Sequence, residues 1–99
     1  MVFNIQIDYR AQKEIDFAIG YLVEKNKSSA KKLLGKIDSS YKLLSKNPHN
    51  QVRYNDIRCL PIKGFPFMFH YSVSEKTKTV NVHGFIHTSR DPNKYWINT

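Results

Sequence analysis

The sequence predicts an α+β fold: a helical hairpin packed on one face of a small, largely antiparallel sheet, with elements in the order β-α-α-β-β-β. Three observations lead there. Apolar residues recur at a helical period in two adjacent stretches between Tyr9 and Lys46. They alternate with polar residues before Tyr9 and again after Ile57. The chain has 99 residues, 40% of them hydrophobic, which closes one small core and leaves too little for two. The expectation is a single domain over residues 1–99, in which the apolar strand faces meet the apolar helix stripes.

Each element has its own signal. Phe3, Ile5 and Ile7 fall on one face of a short stretch and Asn4 and Gln6 on the other, which predicts a strand with one buried face. Asp8 then stands where a helix N-cap would. From Tyr9 to Lys25, Ala11, Ile15, Ala18, Ile19 and Leu22 share one stripe, the mark of an amphipathic helix. A short turn over residues 26–29 offers a serine as the next cap. The second helix runs to Lys46, with Ala30, Leu33, Leu34, Ile37, Tyr41 and Leu44 on one arc and Lys31, Lys32, Lys36, Lys42 and Lys46 on the other. Asn47-Pro48 stops it. Residues 49–55 read as a polar loop. Residues 57–62 are a predicted strand, and Pro61 puts an edge or an end there because it has no N–H to donate. After a turn at Lys63-Gly64-Phe65-Pro66, two alternating strands form a hairpin around residues 74–78.

Strict alternation would place Phe67, Phe69, Tyr71, Val73, Val80, Val82, Gly84 and Ile86 against the helices. The open face would then carry Arg58, Met68, His70, Ser72, Asn81, His83, Phe85 and His87. Beyond it, Asp91 as cap and Pro92 at the first helical position predict a short helical turn carrying Tyr95 and Trp96 back to the body.

Composition bounds the function. Sixteen Lys and Arg against eight Asp and Glu give +8, and the excess is spread evenly over both halves, so the basic character belongs to the body and not to a tail. An anionic partner is expected. The lone Cys59 excludes an internal disulfide framework and suits a reducing compartment. No apolar run is long enough to span a bilayer and no secretory leader is readable, so a cytoplasmic protein without membrane contact is expected.

The residue types remove most enzyme chemistry. His83 and His87 on one strand are about 13 Å apart and cannot hold one ion together, and no paired-cysteine or paired-histidine metal motif exists. Neither a metal nor a cofactor is expected. Glycines do not cluster into a phosphate loop, and Cys59 reads as a semi-buried thiol. What remains is Arg58, His87 and Arg90, with Lys63 and Tyr95 nearby in sequence. Cleavage of RNA by its own 2′-hydroxyl needs a base, an acid and cations on the phosphorane, which such side chains supply without metal. The structural alternative is that Arg90 and Asp91 fix a terminal turn and His87 closes a strand.

Four segments taken in order, YRAQKEIDFAIGYL, LLSKNP, IRCLPIKGFPFMFHYSV and VHGFIHTSRDPNKYW, resemble the RelE/ParE superfamily of toxins from bacterial type II toxin–antitoxin operons. Phe65-Pro66-Phe67 and the His87, Arg90, Asp91, Pro92, Trp96 pattern carry the likeness most specifically, and it extends over residues 3–96. The resemblance implies a growth-inhibiting toxin neutralised by a co-encoded antitoxin, meeting operator DNA only through that antitoxin. It implies one of two targets. ParE-like members poison DNA gyrase. RelE-like members are metal-independent, ribosome-dependent mRNA endoribonucleases, and in that branch Arg58, His87, Arg90 and Tyr95 would be catalytic. The segment through Arg90-Asp91-Pro92 to Trp96 is common among ParE-like and plasmid-stabilisation proteins, so the ParE-like reading is preferred. A plain basic nucleic-acid-binding domain is the third reading, resting on charge alone.

Overall fold

A computed structural model describes residues 2–49 and 52–88. The element order is β1 (Asn4–Ile7), α1 (Tyr9–Lys25), α2 (Lys27–Lys46), β2 (Val52–Tyr54), β3 (Ile57–Pro61), β4 (Phe67–Ser74) and β5 (Thr79–His87). The five strands form one sheet in the order β1-β5-β4-β3-β2. The β1–β5 pair is parallel and the other pairings are antiparallel. The predicted α+β class and the hairpin on one sheet face are what the chain adopts.

Ala11, Ile15 and Ala18 of α1 and Leu33, Ile37 and Leu44 of α2 join Phe69, Tyr71, Val80, Val82 and Phe85 of the sheet in one buried core. Each large apolar side chain closed off there contributes roughly 1.5–3 kcal/mol. The parallel pair joins strands far apart in sequence, with α1, α2, β2, β3 and β4 between β1 and β5, as parallel neighbours require because no tight hairpin can connect them. The first strand is also tied to the end of α2: Phe3 donates its N–H to the Ser45 carbonyl at 2.8 Å, and Ser45 Oγ donates to the Phe3 carbonyl at 2.9 Å.

Local chemistry departs from expectation at three points. Asp8 occupies the N-cap of α1 but makes no side-chain capping bond. The cap of α2 is Asn26, not a serine: its Oδ1 accepts from the N–H groups of Ser28 and Ser29 at 3.0 and 3.2 Å, so the helices are joined by a single residue. The stretch expected to be a polar loop contains β2, which pairs with β3 across a tight turn where Asn55 takes φ +48, a conformation that asparagine tolerates.

The fourth departure matters most for function. His70 pairs with Gly84 and Tyr71 pairs with Val82, so His83 is an extra residue on β5. This bulge reverses the alternation beyond it. Phe85 and His87 lie on the helix-covered face, opposite Phe69 and Phe67, while Gly84 and Ile86 turn to the reverse face. Arg58 also changes sides. It pairs with Tyr71, as Leu60 does with Phe69, and so shares the helix-side face and not the open one. The reverse face carries Cys59, Met68, His70, Ser72, Asn81 and His83, as the alternation predicts for all but Cys59, which that reading left unassigned.

Candidate functional site

A groove of about 530 Å³ opens where α1 crosses the ends of β4 and β5, lined by Lys13, Glu14, Phe17, Ala18, Tyr21, Phe67, Phe85, Ile86 and His87. It exists because β1 stops at Ile7 while β5 continues to His87. Beyond Asp8, whose N–H reaches the Val82 carbonyl at 2.9 Å, no strand among the described residues pairs with that side of β5. The helix supplies the missing acceptor: the Glu14 carboxylate takes the Phe85 N–H at 3.1 Å. An unpaired strand N–H in that position would cost about 1–3 kcal/mol.

Aromatic rings pave the floor. The His87 imidazole stands edge-on to Phe67 at 5.7 Å, Phe67 stacks on Phe85 at 5.0 Å, Phe85 tilts against Phe69 at 4.9 Å, and Phe69 meets Tyr41 at 5.5 Å. The series runs from an exposed imidazole to the buried core. At its far end, past buried Phe69, half-buried Tyr41 has its hydroxyl pushed up to about 12 by burial and by the Asp38 carboxylate.

The rim is α1 itself. Tyr9, Phe17 and Tyr21 are 73%, 79% and 55% exposed, which puts large apolar rings on the pole of the helix that faces away from the core. Lys13 lies over the Tyr9 ring at 5.1 Å and Lys25 over Tyr21 at 5.6 Å. Folding does not call for these rings in water, whereas a docking partner would use them.

Arg58 and His87 do not converge. Arg58 is opposite Tyr71 and His87 opposite Phe67, four residues apart on β4, with Arg58 on the far side of that strand. Strand geometry puts their Cα atoms about 16 Å apart. Leu60, Phe69 and Phe85 fill the face between them. The two residues stand toward opposite corners of that face. Arg90 and Tyr95, with the expected Asp91-Pro92 turn and Trp96, lie outside the described residues.

The reverse face holds a separate polar group. Buried His70 has its Nε2 3.8 Å from the Cys59 sulfur, and His83 Nε2 lies 2.7 Å from Ser72 Oγ. Burial, and then the neighbouring His83, lower the His70 imidazole to about 4. Among the described residues, no three His, Cys, Asp or Glu side chains gather into a metal-binding group. No described helix is long and apolar enough to cross a membrane.

The architecture is therefore a mixed five-stranded sheet with a helical hairpin on one face and an aromatic groove beside α1. The same fold occurs in a chain of the structure described as the chromosomal ParDE TA system of P. aeruginosa. The two are 15% identical, with a TM-score of 0.73 over 87% of this chain and 96% of that one. No family model matches the sequence, and no curated protein does. The fold expected from the RelE/ParE resemblance is thus the fold of the chain, and at this identity the likeness speaks of fold alone.

Proposed function

We propose that this chain is the toxin of a type II toxin–antitoxin pair, held inactive by a co-encoded antitoxin, and that it acts by binding DNA gyrase. The observation that carries the reading is the likeness of fold to a ParDE chain across nearly the whole of both chains. The binding form of the reading draws support from the separation of Arg58 and His87, which stand about four residues and two strands apart and so are not paired around one phosphate. It also draws support from the exposed rings of α1, which suit a protein partner.

Two measurements test it. Induced without its antitoxin, the chain should arrest growth with DNA supercoiling failing before translation, and the purified chain should inhibit gyrase in a supercoiling assay. His87→Ala should then lower toxicity only as far as contacts are lost, because the toxin transfers no proton. If mRNA is instead cut in phase with the ribosomal A site, and His87→Ala abolishes the cuts by the 10²–10⁴-fold expected for a lost acid or base, about two to four decades, the RelE-like reading replaces this one.

A further inference from the structure

A second groove, of about 790 Å³, runs between α2 and the turn joining β3 to β4. It shares no residue with the aromatic groove and is lined by Ser29, Lys32, Gly35, Lys36, Ser39, Lys63, Gly64 and Phe65. The sequence explains its character. Lys32 and Lys36 are one helical turn apart on the flank of α2 that faces the turn, and their Cβ atoms are about 6 Å apart. Lys63 reaches the same groove from another element. The single acidic residue of α2, Asp38, lies on the other flank, in the cleft between the two helices. No acidic side chain lines the lysine groove, and none of the three lysines has an ion-pair partner among the described residues.

Solubility explains lysines on a convex helix back, where each ammonium is well separated and hydrated. It does not explain three unpaired ammoniums from two elements around one concavity in a chain already at +8. The floor is also stripped of side chains. Gly35 sits in the interior of α2, where glycine costs about 1 kcal/mol relative to alanine, and a Cβ there would meet nothing within 4 Å. Gly64 on the other wall is equally open and has φ +87. A ligand backbone can therefore approach the protein backbone between the lysines.

We propose that this groove seats the phosphate backbone of double-stranded DNA. Lys32 and Lys36 are spaced like neighbouring phosphates of one strand, and Lys63 closes on the same ridge from the opposite wall. A duplex is favoured over a single strand because the groove offers no stacking platform: its one ring, Phe65, is half-buried and packed against the core. It is favoured over an acidic peptide because a duplex carries one charge per about 1.7 Å and releases condensed counterions when lysines replace them. The groove has no groups placed to read base edges, so binding is independent of sequence. This inference stands apart from the toxin reading, and it departs from the expectation that the chain meets DNA only through an antitoxin.

The test uses the full chain and a short fluorescein-labelled duplex of arbitrary sequence, with anisotropy titrations over a series of salt concentrations. The wild-type chain should bind with affinity falling steeply as salt rises. The triple variant Lys32→Ala/Lys36→Ala/Lys63→Ala should lose more than about tenfold in affinity at low salt, and its log–log salt slope should flatten by about 2 to 3, near 0.9 for each phosphate contact removed. A control with the same charge change elsewhere, Lys31→Ala/Lys42→Ala/Lys76→Ala, should keep most of the wild-type slope. All six lysines are exposed, so both variants should fold as the wild type does. The proposal is overturned if the duplex does not bind, if the control loses as much as the groove variant, or if the matching single strand or poly-L-glutamate binds more tightly than the duplex.

Discussion

His70 is the residue whose chemistry most constrains the molecule. It is fully buried on the reverse face of the sheet, opposite Gly84, and stays neutral there until about pH 4 because charging it would strip an imidazolium of water. In the unfolded chain the same ring takes its proton near 6.5. The unfolded state therefore binds more protons between these values, and this group's stabilisation is complete above pH 6.5, declines as pH falls toward 4, and is lost by then. The full swing is roughly 3 kcal/mol. Urea denaturation followed from pH 6.5 to pH 4 should show it, and His70→Gln should remove about one proton's worth of that slope whatever its own effect on stability at neutral pH. An unchanged slope in the variant would mean that His70 takes up its proton at the same pH in the folded and unfolded protein. The sequence announced a histidine at this position but not its burial, because burial depends on which neighbours the sheet register supplies.

At the scale of elements, much of the fold was legible because its signals are local. The 3.6 period marks α1 and α2 to within a residue or two, and Pro61 ends β3 where a residue without an N–H should. Capping chemistry was less legible, because Asp8 and Asn26 are both good cap residues and only geometry decides which is used. Asn26 bonds two N–H groups and Asp8 none through its side chain. Thermal denaturation should accordingly show Asn26→Ala costing about 1 kcal/mol and Asp8→Ala no more than about 0.5 kcal/mol. Equal costs would refute that assignment. The candidate site was the least legible part, chiefly because of the extra residue His83. Alternation counted along β5 without the bulge sends Phe85 and His87 to the open face, whereas the bulge returns both to the helix side, where they floor the aromatic groove. The one hint in the order of residues from Val80 to His87 is Gly84, since an isolated glycine in a strand often marks a bulge, but whether one forms is decided by the β4–β5 pairing and not by either strand alone. Arg58 was misplaced in a related way, since its side is fixed by its pairing with Tyr71.

At the scale of the whole molecule, the described surface carries two grooves of contrasting chemistry. The lysine groove along α2 is polar and cationic, while the α1 side presents aromatic rings around an apolar groove. On the toxin reading an antitoxin has to hold a +8 protein tightly, and charge alone gives a salt-sensitive grip. Buried aromatic anchors give the salt-resistant part, and Phe17 is the ring best placed to be one: it is the most exposed large apolar side chain among the described residues and sits on the groove rim with Lys13 and Tyr21. In the isolated chain its removal deletes almost no packing, so Phe17→Ala should change stability by no more than about 0.5 kcal/mol. In the complex an aromatic anchor contributes about 2 kcal/mol or more, so the same substitution should weaken antitoxin binding by roughly thirtyfold or more, mainly through faster dissociation. That loss should persist at high salt, where electrostatic attraction is screened. Calorimetric titration of the antitoxin into wild-type and Phe17→Ala chains at low and high salt distinguishes the cases. A Phe17→Ala chain that binds its antitoxin as the wild type does would show that the partner grips elsewhere and that the rings of α1 serve the target instead.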